Sequence, residues 1–253
     1  VLTGANLANR ELLYLGVSGD GDSASIGLGQ FANAMRRGVN MAYIVENNGV
    51  YGLTKGQFSA TADRGSKSKK GVTNTDSPID LVGLALQLGA TYVARAFSGD
   101  KEQLVPLIKG AIGHAGAAFI DVISPCVAFN NHNGSTKSYD YVRQHNESVS
   151  RIDFMPQRSE ITAEYESGEV IEVEQHDGTF LRLRKVDASY DPSKRYDALS
   201  YMHDHHERGE IVTGLLYLDP LALDLHASLN TSHLPLNTLT EKELCPGEKV
   251  LAK

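Results

Sequence analysis

Two short segments of this chain carry residue types that can do chemistry together. Gly19-Asp20-Gly21-Asp22-Ser23-Ala24 follows an apolar run and opens a stretch with helical spacing, matching the pattern G-x-G-x-x-G/A of a dinucleotide-binding turn. In such a turn a pyrophosphate approaches the positive end of the next helix. Asp20 and Asp22 would meet it there as two carboxylates, so something positive must intervene. A hard divalent cation such as Mg²⁺ does so, because it binds through one or two protein oxygens together with phosphate oxygens. The second segment, Asn47-Asn48-Gly49-Val50-Tyr51-Gly52, follows the run Met41 to Glu46. The 25 residues between Gly21 and Asn47 suffice for one helix and one strand, so both loops come out at the carboxyl edge of one sheet. Asn48 offers a neutral side-chain oxygen there, and the turn around Gly49 can aim a main-chain carbonyl at the same ion. Jointly the loops read as a metal–diphosphate site. The first motif alone is weak, since capping of a helix by Asp20 and Asp22 is its bland alternative.

The elements that must position these loops alternate along the first half of the chain. Leu12 to Val17 is a continuous apolar run that predicts a buried strand. Ile26, Leu28, Phe31 and Met35 recur at helical spacing within Ala24 to Arg37, with Ser23 as N-cap and Gly38 as C-terminal stop. Met41 to Val45 (strand), Ile79 to Leu88 (helix after Pro78), Thr91 to Ala94 (strand), Lys101 to His114 (helix) and Ala118 to Ile123 (strand) continue the pattern. The expected fold class is α/β, a parallel sheet covered by helices on both faces. Gly52 to Ser77, rich in Gly, Ser, Thr and Lys, is long for a connection, and such loops are functional or mobile. Farther on, Glu169 to Gln175 and Thr179 to Val186 alternate with period two around His176-Asp177-Gly178, predicting an antiparallel hairpin in which Glu174 and Arg182 pair across strands. Residues 1–135 are therefore read as the cofactor-binding domain and 136–253 as a C-terminal extension with a hairpin at 169–186.

Composition narrows the function classes. The 253 residues hold 24 Lys plus Arg against 31 Asp plus Glu, a net charge of −7, which speaks against binding through phosphate neutralisation and so against a nucleic-acid partner. Hydrophobic residues make up 41 %, enough for a sizeable core, yet no run reaches the ~18 apolar residues of a membrane span, so no membrane is expected. Cys126 and Cys245 are far apart and neither sits in a Cys-x-x-Cys pair, so a disulfide framework is excluded and a reducing, cytoplasmic setting is expected. Cys245, beside Pro246-Gly247, reads as a surface residue, and His203, Asp204, His205 and His206 as a solvated helix face rather than a metal site. Lys67, Lys69 and Lys70 read as a solvated loop, whereas Lys55, beside the second loop, is the candidate for a substrate carboxylate.

Beyond the spacing of its two loops, the chain resembles a known family. Ser18-Gly19-Asp20-Gly21-Asp22, Asn48-Gly49-Val50-Tyr51-Gly52-Leu53-Thr54-Lys55-Gly56-Gln57, Leu88-Gly89-Ala90-Thr91-Tyr92-Val93-Ala94-Arg95 and Ser124-Pro125-Cys126-Val127 are similar to the beta subunits of 2-oxoacid:ferredoxin oxidoreductases, closest to the 2-oxoglutarate type. The resemblance covers about half the chain, to Phe129. It implies a thiamine diphosphate-binding fold, with Mg²⁺ held by Asp20, Asn48 and the carbonyl of Val50, and the cofactor by Gly19, Asp20, Gly21, Asp22, Asn48, Val50, Gly52 and Leu53. It further implies a 4Fe-4S cluster with Cys126 as one ligand. The family's N-terminal Cys-x-x-Cys and further Cys are not in this sequence and are expected in a segment ahead of Val1. The implied reaction is oxidative decarboxylation of a 2-oxoacid, 2-oxoglutarate foremost, to an acyl-CoA with electrons passed to ferredoxin. The implied partner is an alpha subunit supplying the pyrimidine-binding domain and its Glu, in a heterodimer or dimer of heterodimers. A non-oxidative thiamine diphosphate decarboxylase or synthase, or a noncatalytic diphosphate-binding subunit, are the alternatives. Asp20 is expected to have no side-chain duty besides the metal.

Overall fold

The computed structural model describes residues 1–148, 166, 169–174, 180–184, 190–245 and 247. After the short helix α1 (Leu2–Ala8), strand β1 (Leu15–Gly19) and helix α2 (Leu28–Arg36) form the first strand-to-helix unit. They are followed by β2 (Met41–Asn47) and a small two-stranded ribbon, β3 (Val50–Tyr51) with β4 (Gln57–Phe58). Next come α3 (Leu81–Leu88), β5 (Tyr92–Phe97), α4 (Lys101–Gly113) and β6 (Ala117–Ile123). The caps follow sequence logic: Asp80 and Asp100 accept from the first-turn amides of α3 and α4, and Gly89 closes α3 at φ +97°. The chain continues through α5 (Tyr139–His145), β7 (Asn146–Ser148), β8 (Val170–Glu174), β9 (Phe180–Arg184), α6 (Arg195–Glu207), β10 (Ile211–Leu218) and α7 (Leu225–Leu229).

The large sheet runs β1-β2-β6-β5-β10-β7-β9-β8. Its first four strands are parallel; β10 joins β5 antiparallel and β7 parallel, and the hairpin β8/β9 enters the same sheet through β7. Because side chains alternate along a strand, β2, β6 and β5 feed two cores. Val45, Phe119 and Val93 pack on one side with residues of α2, α3 and α6, while Ile44, Ile120 and Ala94 meet Leu107 and Ala111 of α4 on the other. The α/β reading, helices on both faces and a C-terminal hairpin, is what the structure has.

Four local expectations are corrected. The first strand begins at Leu15, not Leu12, and is an edge strand with Leu12, Leu13, Leu15 and Val17 exposed. A continuous apolar run cannot distinguish an edge from a centre, and α4 lies over β2, β6 and β5 without covering β1. Ser23 does not cap a helix. Residues Asp22–Ile26 make a π turn, closed by Gly27 N donating to Asp22 O at 2.6 Å, and α2 starts only at Leu28. A Cβ on Gly27 would stand 2.7 Å from that same carbonyl. In the hairpin the register runs from Val170 opposite Arg184 to Glu174 opposite Phe180, which sets Glu172, not Glu174, opposite Arg182; the connecting residues 175–179 and residues 185–186 lie outside the described ones. His205 is not part of a solvated face: it is buried, with Nδ1 2.5 Å from Glu210 and its ring against Tyr201, while His203, Asp204 and His206 are exposed.

Candidate functional site

Parallel pairing of β1 with β2 and of β2 with β6 ends all three strands at one edge, and the loops after them meet there. Asp20 follows β1 directly and is 1 % exposed. Its Oδ2 accepts from Gly49 N at 2.9 Å and from the hydroxyls of Ser59, at 2.5 Å, and Thr61. Tyr51 seals the pair of loops, donating its OH to Gly21 O at 3.2 Å with its ring where a Gly21 side chain would be; a Cβ there would lie 2.2 Å from the ring. Only glycine fits at position 21. Gly49 is needed for its backbone, at φ +74°.

The second loop presents oxygens on one side. The carbonyls of Gly49 and Tyr51 both point towards the β4 strand, accepting from Ser59 N and Gly56 N. In an antiparallel ribbon the intervening residue points the other way, so the Val50 N–H and C=O face away from β4. Val50 N donates to Asn48 Oδ1 at 3.0 Å, which places the Asn48 side chain and the Val50 carbonyl on that common side.

Behind the loops a buried polar chain crosses the sheet. Thr61 Oγ1 stands 3.0 Å from Asn47 Oδ1, Asn47 Nδ2 donates to Asp121 Oδ1 at 3.0 Å, and Asp121 Oδ2 accepts from Arg95 Nε at 2.8 Å. Arg95 also reaches the α3 cap Asp80 at 2.6 Å. Burial works against the Arg95 charge, but the carboxylates of Asp80 and Asp121 outweigh it and hold its pKa above the ordinary arginine value.

The third loop is tied to the second. Ser124 N donates to Asn47 O, Asn130 Nδ2 donates to Asn48 O at 2.7 Å, and Phe129 lies where a Gly56 Cβ would come within 3.0 Å. Cys126 opens this loop, partly exposed and free, its carbonyl accepting from Phe129 N and Asn130 N. Among the described residues no group of three His, Cys, Asp or Glu side chains could hold a metal ion.

The structure thus brings together Asp20, Gly21, Asn48, Val50 and the Cys126 loop. Gly19 borders the group, with a hypothetical Cβ 3.4 Å from the Asp22 carboxylate. Asp22 itself is exposed, as are Gly52, Leu53 and Lys55 on the turn after β3, where Lys55 takes φ +76°. Asp20 departs from expectation, since it also ties the loops to Ser59 and Thr61. Those two, with Tyr51, Asn130, Asp121 and Arg95, are residues that sequence reasoning did not single out; their roles depend on register and loop approach. The Gly52-to-Ser77 loop is well anchored in this structure: Asn74 Nδ2 donates to Ala62 O at 2.8 Å, and Gly65 N and Asn74 N bond back within the loop.

Which residues could hold a metal follows from the donor set. Among the described residues no Lys, Arg or His forms an ion pair with the buried Asp20 carboxylate. Asp20, Asn48 Oδ1 and the Val50 carbonyl are hard oxygen donors, suited to Mg²⁺.

Residues 1–122, which hold the two loops and strands β1, β2 and β5, match the family described as thiamine pyrophosphate enzyme, C-terminal TPP binding domain. Over about half its length the chain is similar to the beta subunits of 2-oxoacid:ferredoxin oxidoreductases, as its motifs imply. It is 46 % identical over 137 residues to the 2-oxoacid:ferredoxin oxidoreductase subunit beta of Saccharolobus solfataricus, covering 54 % of this chain and 44 % of that one. It is 39 % identical over 132 residues to the 2-oxoglutarate oxidoreductase subunit KorB of Mycobacterium tuberculosis, covering 52 % and 35 %. Among solved structures it is similar to the 2-oxoglutarate:ferredoxin oxidoreductase from Magnetococcus marinus with 2-oxoglutarate, coenzyme A and succinyl-CoA bound, at TM-score 0.70 and 27 % identity over 99 % of this chain and 70 % of that one. The match spans less than half the length of these two curated relatives.

Proposed function

We propose that this chain is the thiamine diphosphate-binding beta subunit of a cytoplasmic 2-oxoglutarate:ferredoxin oxidoreductase, which converts a 2-oxoacid and CoA to an acyl-CoA and CO₂ and passes the electrons to ferredoxin. The observation that carries this reading is the buried Asp20 joined to the second loop through Gly49, with Asn48 Oδ1 and the Val50 carbonyl on one side of that loop. Asp20, Asn48 and Val50 would hold Mg²⁺, and the backbone around Gly19, Gly21, Asp22, Gly52 and Leu53 the cofactor. When bound, thiamine diphosphate supplies the carbon nucleophile for the keto group and takes up the electron pair that CO₂ leaves behind. This chain's part is to neutralise and orient the diphosphate and to keep the two loops in fixed relation. Exposed Lys55 is assigned to a substrate carboxylate, which a cation recognises by charge-assisted hydrogen bonds. An alpha subunit completes the active site, in a heterodimer or dimer of heterodimers.

The test is to copurify the full-length chain with its partner and follow CoA-dependent viologen reduction. Faster reduction with 2-oxoglutarate than with pyruvate is the expected result. CO₂ release without viologen reduction would instead make it a non-oxidative decarboxylase.

Cys126 is assigned as one of the four thiolates that hold a 4Fe-4S cluster. The Cys126 loop contacts the second cofactor loop, where an electron acceptor is needed. Cys126→Ser is expected to leave thiamine diphosphate binding unchanged, lower the iron content and slow ferredoxin reduction. Unaltered iron, spectrum and ferredoxin reduction would return Cys126 to an ordinary thiol.

A further inference from the structure

We propose that Asn130 is a positioning residue for the cation site, gripping the Asn48–Gly49 peptide from the edge opposite Asp20. The proposal rests on the reading of Asp20, Asn48 and Val50 as cation donors. Asn130 is 2 % exposed, and its Nδ2 lies 2.7 Å from the Asn48 carbonyl oxygen. A carbonyl only accepts, so the amide must present its NH₂ group there. On the other edge of the same peptide the Gly49 N–H donates to Asp20 Oδ2 at 2.9 Å. The C=O and N–H of a trans peptide point in opposite directions, so Asn130 and Asp20 hold one plane from both sides. That plane links Asn48 to Gly49, the residue before Val50, so rotating it would change the path between the Asn48 and Val50 oxygens and put them out of alignment.

Asn130 is itself anchored, its N–H donating to Cys126 O at 2.8 Å. The approach depends on Gly49, where a Cβ would come 3.1 Å from Asn130 Nδ2. The Asn130 Oδ1 is buried and has no partner among the described residues. A group that only filled space would avoid an unsatisfied acceptor, so it is the donor function that accounts for an amide at this position.

Groups that orient metal ligands typically change metal affinity by about 10–100-fold when removed. In the full-length chain assembled with its partner subunit, Asn130→Asp keeps the shape but turns the donor into an acceptor facing the Asn48 carbonyl. It is expected to raise the Mg²⁺ concentration for half-maximal thiamine diphosphate binding, read by calorimetry, by about 10–100-fold. Asn130→Ala should move it in the same direction, and carries the test if the aspartate variant does not assemble. Leu107→Ala, a core truncation on α4 where it packs against Ile120 and Ala94, controls for general destabilisation and should keep the parental Mg²⁺ midpoint. A parental midpoint in the Asn130 variants, even with a lowered melting temperature, would reduce Asn130 to packing and overturn the proposal, as would a shift equal to that of Leu107→Ala. Asp20→Asn separates the two readings. If it loses cofactor binding while the Asn130 variants bind normally, only the Asn130 role fails. If it binds normally, the cation site itself is wrong.

Discussion

Asp20→Asn is expected to abolish Mg²⁺-dependent binding of thiamine diphosphate while leaving the chain folded. The asparagine carbonyl can take the place of Oδ2 and still accept from Gly49 N, Ser59 and Thr61, so the loops remain tied. What changes is the other end of the side chain, where an NH₂ group replaces the second carboxylate oxygen and the charge is gone. An amide NH₂ offers no lone pair to a cation, and the other two ligands assigned to it, Asn48 Oδ1 and the Val50 carbonyl, bring no charge. Asp20→Ala is the poorer test. It would leave the buried Gly49 N–H without its acceptor, at a cost of about 1–3 kcal/mol, and mix lost folding with lost binding. The measurement is the melting temperature of the reconstituted complex with and without Mg²⁺ and thiamine diphosphate. A ligand that binds only the native state must raise it, so the parent should shift upward and Asp20→Asn should not. An equal upward shift in both would remove Asp20 from the cation site.

Much of the frame behind this prediction was legible in the residues. Helix and strand periodicities in the first half map onto α3, α4, β2, β5 and β6 to within a few residues, because β2, β5 and β6 are buried on both faces and read as continuous apolar runs. The two loops were legible as a pair because parallel topology sends every strand's carboxyl end to one edge. Contacts between loops were not. Ser59 and Thr61 sit in a Gly/Ser/Thr-rich stretch with no periodicity, and nothing in their spacing says that the chain folds back to offer hydroxyls to Asp20. Ser23 in a π turn likewise follows from a local backbone detail, the close approach of Gly27 to the Asp22 carbonyl, that a cap-residue preference does not encode. The exposed β1 edge was misread because apolar character shows that a segment can be buried and not that something covers it.

The largest effect on stability is expected from Arg95→Met. Arg95 and Asp121 are direct neighbours in the register of β5 and β6, a relation invisible until the two strands are paired. Removing the guanidinium strands Asp121, which is 1 % exposed and among the described residues keeps only the Asn47 amide as side-chain partner, whereas Asp80 is half exposed and can turn to water without losing its place at the α3 cap. Stripping one partner from a buried ion pair typically costs about 3–5 kcal/mol, a large share of the roughly 5–15 kcal/mol that holds a domain together. Lysine would not substitute well, since one ammonium cannot reproduce the fork that serves Asp121 and Asp80 at once. The urea midpoint should therefore fall sharply in Arg95→Met and recover in part in Arg95→Met/Asp121→Asn, where the stranded charge is gone; a double-mutant cycle isolates that coupling. If the double variant were no more stable than the sum of the single losses, the pair would be uncoupled and the argument would fail. Because Asp121 also holds Asn47, and Asn47 lies against Thr61 and through it Asp20, the same variant should weaken Mg²⁺ and cofactor binding from two strands away. The charge that stabilises the sheet is thus the one that keeps the cofactor edge in register.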